Sequence, residues 1–398
     1  MEARDREALV AFCREMIKKP SLSGRERDVA DLLEREMRAL GFDSVERDGY
    51  GNVIGRVRLG DGGKRILFEG HMDHVDVADP SLWTHAPYSA DVSGGKIYGR
   101  GTTDMKGNLS AMTQAAGLAK RNLRGICGEV VVAGCVHEEC FEGVASESIG
   151  SRCAPDCVVI GEPSSLNLMR GQRGRAEVVL ETYGRSAHSS SPEVGVNAVK
   201  AMVPLLARLE RRFVPDEHPV LGKGIMELTD IISTPYPGAS VVPEKCRVTF
   251  DRRLLTSDTE EHVLEQVRHV IDELIAEGSD LKASVSIARG ADTCYTGEKI
   301  EAARFAPAWL YEEDHWFVAA ALNGLRSVGL EPKVGHYAFC TNGSYYAGKA
   351  GIPTIGFGGS KEHLAHVVDE YIEIEQLERA CDGYLGIVRS VLGGKVTR

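Results

Sequence analysis

Residues 66–77 read ILFEGHMDHVDV, an apolar strand that ends in a run of polar side chains. The next segments are TTDMKGNLSAMTQAAGLAKR at 102–121, which has the pattern of a helix rich in small residues, and the apolar strand GEVVVAGCV at 128–136. A further apolar strand, CVVI, follows at 157–160. Helices that alternate with wholly apolar strands predict an α/β sheet that is mixed and largely parallel.

The same alternation extends towards both ends of the chain. Residues 7–40 carry helical periodicity that breaks at KKPSLSGRE, and residues 53–59 and 65–69 have the pattern of short strands. After residue 291, a helix is predicted at 315–329, a strand at 352–358 and a closing helix at 372–392. These segments therefore belong to one α/β domain.

The middle of the chain follows a different order. Four strands are predicted, at 173–184, 224–233, 244–255 and 281–289, with amphipathic helices at 194–212 and 259–278. This β-α-β-β-α-β order is that of a ferredoxin-like α+β domain. We therefore predict a catalytic domain formed by residues 1–173 and 292–398, with residues 174–291 inserted as a lid or dimerisation domain.

Composition excludes several classes of protein. A chain of 398 residues with 43% hydrophobic and 26% charged residues is typical of a globular protein with more than one domain. Its apolar runs are shorter than the ~20 residues that span a bilayer, and residues 1–16, MEARDREALVAFCREM, lack the apolar segment of a signal peptide. We expect a cytoplasmic protein that does not bind membranes.

Charge and cysteine usage add two further expectations. The formal net charge of −11 disfavours a nucleic-acid surface, which requires a basic stripe. The ten cysteines are scattered and form no Cys-x-x-Cys pair, so reduced and mostly buried thiols are expected. The net charge says little about a small-molecule substrate.

Polar side chains follow three of the predicted strands. His71 and Asp73 follow the strand at 65–69, Glu138 and Glu139 follow the strand at 128–136, and Glu162 follows the strand at 157–160. Sites in open α/β sheets form at the carboxyl ends of the strands. These residues are therefore expected to share one site.

Two more candidates come from outside these strand ends. Asp104 opens the helix at 102–121, and His366 follows the strand at 352–358 and a glycine-rich turn. Each has a simpler interpretation, since Asp104 could be a helix N-cap and the histidine could be a surface residue. Jointly, imidazole and carboxylate groups in this number suit a dinuclear metal site with one shared carboxylate and a separate base.

The polar segments together resemble the ordered signature of the M20 metallopeptidase family. The resemblance rests on GHMDHVDV, GRGTTDMKG, HEECFEG, GEPSS, SAHSSSPEVGVNAV and the late His366, and it covers essentially the whole chain. The family includes acetylornithine deacetylase, succinyl-diaminopimelate desuccinylase, carboxypeptidases, dipeptidases and aminoacylases. Two longer segments, at 79–107 and CTNGSYYAG at 340–348, look most like its selenium-metabolism-linked hydrolase branch.

The resemblance implies a set of metal ligands. His71 and Glu162 would bind one divalent ion, Glu139 and His366 a second, and Asp104 would bridge the two. Zinc is the expected metal, with cobalt or manganese as alternatives.

The resemblance also implies catalytic roles. Asp73 would accept a hydrogen bond from the far nitrogen of His71 and so fix its tautomer. Glu138 would act as general acid and base for a metal-bridging hydroxide that attacks an amide carbonyl. His188, in the inserted domain, would donate to the oxyanion.

The resemblance also implies substrate contacts. Arg253 would bind a substrate carboxylate, with Arg252 as the alternative, and Ser240, Asn342 and Gly343 occupy positions that touch substrate in the family. Where many relatives have Asn before the VIP segment this chain has Ser240, and where many have Ser or Thr followed by Asp it has Thr341 and Asn342. The acyl or side-chain specificity of relatives therefore cannot be transferred.

Three functions remain open after this comparison. The first is hydrolysis of a small N-acyl or N-carbamoyl amino acid or a dipeptide, and the second is an exopeptidase of the carboxypeptidase type that acts on longer peptides. The third is a non-catalytic binding protein, which the complete set of ligands and base disfavours. A homodimer formed through the inserted domain is also expected.

Overall fold

The computed structural model describes residues 1–393, which form two compact units. The first unit contains Met1–Gln172, Ala291–Ala302 and the chain from Trp309 onward, and the second contains Arg173–Gly290 and Ala303–Ala308. The predicted inserted domain, 174–291, omitted the last of these segments. The segment Ala303–Ala308 belongs to the second unit because Phe305–Ala306 pairs with the strand Gly174–Tyr183.

The first unit contains a nine-stranded mixed sheet. Its strands lie in the order Ser44–Arg47, Val53–Gly60, Gly128–Cys135, Lys64–His71, Cys157–Ile160, Thr354–Gly356, Leu168–Gln172 and Trp309–Leu310, and Val334–Tyr337 also pairs with Leu168–Gln172. The central pairings are parallel and the outer ones are largely antiparallel. The predicted mixed α/β sheet is confirmed.

Helices cover this sheet because their apolar faces need burial. They are Ala3–Ile17, Arg27–Ala39, Lys106–Asn122, Ser146–Cys153, Trp316–Ser327 and Ile374–Leu392. The first two are separated at the predicted break, KKPSLSGRE. The helix Lys106–Asn122 is buried from its first residue through Ala119, and its small residues allow the close approach that such burial requires.

The second unit combines two helices with a five-stranded antiparallel sheet, in which the short strand Phe305–Ala306 joins four longer ones. The longer strands lie in the order Ile225–Thr234, Lys245–Leu254, Gly174–Tyr183 and Ala283–Ile287, and the helices are Ala198–Arg212 and Glu260–Ala276. This topology is the predicted ferredoxin-like one. Val178, Leu180 and Val248 from the strands pack in one core with Leu205 and Val267 from the helices.

Several short elements complete the structure. Val92–Ser93, Lys96–Tyr98 and Tyr371–Glu373 form a small sheet, and the other paired strands are Ala187–His188 with Val241–Val242, Glu217–His218 with Gly222–Lys223, and Arg289–Thr293 with Lys299–Ala303. Short 3-10 helices occur at Pro80–Leu82, Pro192–Val194 and Glu362–Leu364, and a π-helix at Ser344–Lys349. Within residues 1–393, no helix has both the length and the apolar character needed to cross a membrane.

Candidate metal centre and active site

The predicted ligands converge at one edge of the first unit's sheet. His71 is the last residue of its strand and lies opposite Cys135 of the neighbouring parallel strand, while Ile160 ends the strand on the other side. The loops that begin at these strand ends carry Glu138, Glu139 and Glu162. The carboxyl ends of parallel strands therefore meet here, as the sequence predicted.

Asp104 lies between two histidines. Its Oδ1 is 2.8 Å from Nε2 of His71, and its Oδ2 is 3.0 Å from Nε2 of His366. Nε2 of His71 is also 3.5 Å from Oε1 of Glu162, and Nε2 of His366 is 3.3 Å from Oε2 of Glu139. The five residues thus group as one central carboxylate flanked by two histidine–carboxylate pairs.

The alternative interpretation of Asp104 as a helix N-cap is wrong. The helix begins at Lys106 and has no side-chain cap, and both oxygens of Asp104 face imidazole nitrogens. The potential ligand atoms of His71, Asp104 and Glu139 lie within 4.8 Å of one another, and so do those of His71, Glu138 and Glu162. Each group has the size of a metal coordination sphere.

Asp73 differs from its predicted role in one respect. Nδ1 of His71 lies 2.9 Å from the backbone carbonyl oxygen of Asp73 but 3.6 Å from its carboxylate. The carboxylate instead accepts the backbone N–H groups of Glu138, at 3.1 Å, and Glu139, at 3.2 Å, as well as the hydroxyl of Ser23, at 2.7 Å. Asp73 therefore orients His71 mainly through its backbone and holds the loop of the two glutamates through its side chain.

Ser23 and Glu26 are site-supporting residues that sequence reasoning missed. Oε1 of Glu26 accepts the backbone N–H of His137 at 3.2 Å, so three consecutive N–H groups of this loop are held by buried carboxylates. Both residues lie in KKPSLSGRE, whose sequence pattern predicts only a break between two helices. A buried glutamate in such a segment is recognisable only once its tertiary partners are known.

The electrostatics of the cluster follow from its burial and its excess of carboxylates. Burial raises the pKa of Glu138 well above its ordinary value, with further increases from the neighbouring Glu162 and Glu139. Burial and the charge of Asp104 raise the pKa of Glu162 in the same way. Hydrogen bonds to Asp104 and Glu139 raise the pKa of His366 to about 10. The carboxylates outnumber the histidines and would be stabilised by added positive charge.

The donor set fits divalent metal ions. Imidazole nitrogen and carboxylate oxygen are the ligands that zinc, manganese and cobalt accept. Oε1 of Glu139 is buried and has no hydrogen-bond partner among the described residues, a costly state for a carboxylate oxygen unless a cation is present. The residues at this edge therefore suit a metal centre.

The family model of Peptidase family M20/M25/M40 matches residues 67–390, which include the whole cluster. The chain belongs to the M20 family. Members of this family are metal-dependent hydrolases, typically with two metal ions. The predicted family is confirmed, whereas the narrower selenium-linked branch stays a prediction.

Relatives of this M20 chain include deacylases and peptidases. Uncharacterized protein YgeY of Escherichia coli K12 is 35% identical over 378 residues, which cover 93% of this chain and 91% of YgeY. Succinyl-diaminopimelate desuccinylase of Phenylobacterium zucineum is 26% identical, covering 95% of this chain and 97% of the relative. The solved structure of YXEP from Bacillus subtilis, a dinuclear metal-binding peptidase, has a TM-score of 0.72 at 14% identity, covering 98% and 99% of the two chains.

His188 and Ser240 lie side by side in the second unit of this M20 protein. The strand Ala187–His188 pairs with Val241–Val242, and both His188 and Ser240 are exposed. Nδ1 of His188 accepts the backbone N–H of Ser190 at 3.2 Å, which places the proton of the neutral ring on Nε2. His188 therefore presents a hydrogen-bond donor, as its predicted role requires.

Arg253 and its alternative have different environments in the same unit. Arg253 is partly exposed and pairs with Asp251 at 2.9 Å, while Arg252 is buried, 3.5 Å from the carboxylate of Asp258 and over the ring of Phe213. Burial and these partners disfavour Arg252 as a substrate ligand. Asp258 belongs to a further potential ligand group with Asp216 and His262, but Arg252 already supplies a cation there.

The side chain of Asn342 makes hydrogen bonds within the first unit. It is buried, its Nδ2 donates to Oε1 of Glu69 at 2.7 Å, and its Oδ1 accepts the N–H of Gly143 at 2.6 Å. Both ends of the side-chain amide thus have partners in the first unit, and its contact with substrate stays a prediction. Gly343 donates its N–H to Oγ1 of Thr341 at 3.0 Å and is packed against Trp309.

Proposed function

We propose that this M20 protein is an amidohydrolase that cleaves the amide bond of a small N-acyl or N-carbamoyl amino acid or a dipeptide. The arrangement of Asp104 supports it most, since one oxygen faces His71 and the other faces His366. A carboxylate shared in this way suits two ions rather than one. Exopeptidase activity on longer peptides is the second candidate, favoured by the peptidase among its structural neighbours.

In this proposal, His71 and Glu162 hold one divalent ion, Glu139 and His366 hold the other, and Asp104 serves both. Ions bound there would polarise the substrate carbonyl and lower the pKa of a water molecule. Zinc is the expected metal, with cobalt and manganese as alternatives, because imidazole and carboxylate donors suit all three.

Glu138 transfers the proton. It lies beside His71 and Glu162 and is buried, and burial raises its pKa well above the ordinary value of a carboxyl group, which makes the group a stronger proton acceptor. It takes a proton from the attacking water and passes it to the nitrogen of the leaving amine. Asp73 supports this step because its carboxylate holds the backbone N–H of Glu138.

The second unit supplies the substrate contacts. The exposed Nε2–H of His188 donates to the oxygen that becomes negative in the transition state, and Arg253 binds the carboxylate of the substrate. Ser240 directly precedes Val241, the residue that pairs with His188, and it contributes to specificity.

A substrate screen tests the proposal. The metal-loaded enzyme is assayed with N-acyl amino acids, N-carbamoyl amino acids, dipeptides and longer peptides, and Glu138→Gln serves as the inactive control. Cleavage of the small amides and not of the longer peptides is expected. Turnover confined to longer peptides would establish the second candidate instead, and the absence of turnover in every class would contradict both.

We expect two divalent ions per chain because Asp104 leaves two further ligands for each. The freshly purified protein is equilibrated with excess zinc, freed of unbound metal and examined by elemental analysis. His366→Ala is expected to retain about one ion, since it removes a ligand from only one pair. A wild-type stoichiometry that stays at or below one ion in excess zinc would contradict the dinuclear assignment.

The homodimer is proposed to form through the second unit. Ile225–Thr234 is an edge strand of its sheet, and it exposes Leu228, Ile231 and Ile232. Unpaired backbone groups and apolar side chains on one edge favour pairing with a second copy. Sedimentation analysis of the wild type and of Ile231→Lys tests this, since the charge should shift the protein towards monomer.

A further inference from the structure

Glu370 is a buried carboxylate that accepts hydrogen bonds from the backbone of the turn that carries Asp104. Its Oε1 accepts the N–H groups of Gly101, Thr103 and Asp104 at 3.0, 2.8 and 3.1 Å. Its Oε2 lies 2.6 Å from Nη1 of Arg100. The residue is fully buried and comes four positions after His366.

These contacts join two segments that are distant in sequence. Hydrogen bonds from three backbone amides and a guanidinium to one ionised carboxylate are charge-assisted and therefore stronger than hydrogen bonds between neutral groups. Arg100 also donates to the carbonyl oxygen of Val367 at 3.3 Å, and the N–H of Gly99 donates to the carbonyl oxygen of Glu370 at 2.8 Å. The turn that carries Asp104 and the loop that carries His366 are thus held as one piece.

His366 needs such support more than the other predicted ligands do. Its side chain is 51% exposed, whereas that of His71 is 1% exposed and lies at the end of a central strand. The loop of His366 has no strand or long helix to fix it at that point, since it follows the short helix Glu362–Leu364. The nearest buried attachment of this loop is Glu370.

We propose that Glu370 is a positioning residue for the metal centre. It fixes Asp104 and His366 at the separation that is required when two metal sites share Asp104 as a ligand. The inference rests on the proposed metal-dependent function. Glu370 contacts neither predicted ligand's side chain and acts through the backbone N–H groups of residues 101–104 and through the guanidinium of Arg100. Its removal should therefore weaken metal binding in a protein that remains folded.

The test compares three variants. Glu370→Leu preserves approximate volume and removes the acceptor, and Glu370→Gln keeps an acceptor oxygen but loses the charge. Ile387→Ala is the matched control, because it opens a cavity in a helix of the same unit without touching the metal segments. Zinc affinity is measured by competition with a chromophoric chelator, well below each melting temperature.

Glu370→Leu is expected to lower the affinity for the weaker ion by about 10- to 100-fold, as loss of partners that orient ligands usually does. Glu370→Gln should lower the zinc affinity by a smaller factor. Ile387→Ala should lower the melting temperature without changing the zinc affinity. Amide hydrogen exchange of the metal-free protein should become faster at Gly101, Thr103 and Asp104 in Glu370→Leu, faster to a smaller extent in Glu370→Gln, and unchanged in Ile387→Ala.

Wild-type zinc affinity in folded Glu370→Leu would overturn the proposal. If that variant does not fold, Glu370→Gln decides, and unchanged affinity and exchange there would overturn it equally. An equal loss of affinity in Ile387→Ala would show that general stability, and not positioning, is being measured. Failure of the wild type to bind zinc at all would instead contradict the proposed function.

Discussion

Glu138→Gln is expected to lower kcat by a factor on the order of 10² to 10⁴ while the protein keeps its fold and its metal. The substitution is nearly isosteric and leaves the backbone N–H of residue 138 on the carboxylate of Asp73. It removes only the group that accepts the proton. Substrate affinity should therefore change little, and kcat and KM are measured separately with the metal content of each sample.

Two substitutions in the same loop serve as controls for this result. Glu142→Gln makes the same chemical change at a residue with no predicted role; because the charge of Glu142 adds only the smallest contribution to the raised pKa of Glu138, kcat should change far less than in Glu138→Gln. Glu139→Gln should disturb metal occupancy, because Oε2 of Glu139 faces His366. Near-normal kcat in metal-loaded Glu138→Gln would mean that another group is the base.

His188→Ala is expected to lower kcat by ~10²-fold or more, the usual effect of removing one donor to an oxyanion. His188 is exposed, so its loss should alter the melting temperature very little. The alternative is that His188 only orders the turn at 189–195 through Ser190, with which its Nδ1 makes a 2.7 Å contact. In that case Ser190→Ala would reproduce the loss of kcat.

The origin of the His188 donor in a dimer can be tested with the same variants. If the donor comes from the neighbouring subunit, mixing inactive His188→Ala with inactive Glu138→Gln should give hybrid dimers with partial activity. Subunit exchange is verified independently with differently tagged proteins. Exchange without recovered activity would exclude donation between subunits.

The fold and the ligand cluster could be predicted because they depend on local patterns. Apolar strands followed by His71, Glu138 and Glu162 place these residues at one sheet edge whatever the rest of the chain does. The β-α-β-β-α-β order of the second unit likewise follows from periodicity alone.

The supporting contacts could not be predicted because they depend on tertiary neighbours. Nothing in the sequence distinguishes Asn342, whose amide is used by Glu69 and Gly143, from a free asparagine that could bind substrate. The carboxylate of Asp73 was expected at His71, yet backbone amides more than 60 residues away along the chain occupy it. Phe305–Ala306 was placed in the wrong domain because a two-residue strand carries no periodicity.

The position of Thr354–Gly356 in the sheet has a consequence for synthesis on the ribosome. This late strand lies between Cys157–Ile160 and Leu168–Gln172, so the two parts of the sheet remain unjoined until it has emerged. The four main strands of the second unit are complete by Ile287 and can pair earlier. The nascent first unit meanwhile exposes one edge of each of these two strands, which are buried in the folded protein, and unpaired strand edges favour aggregation.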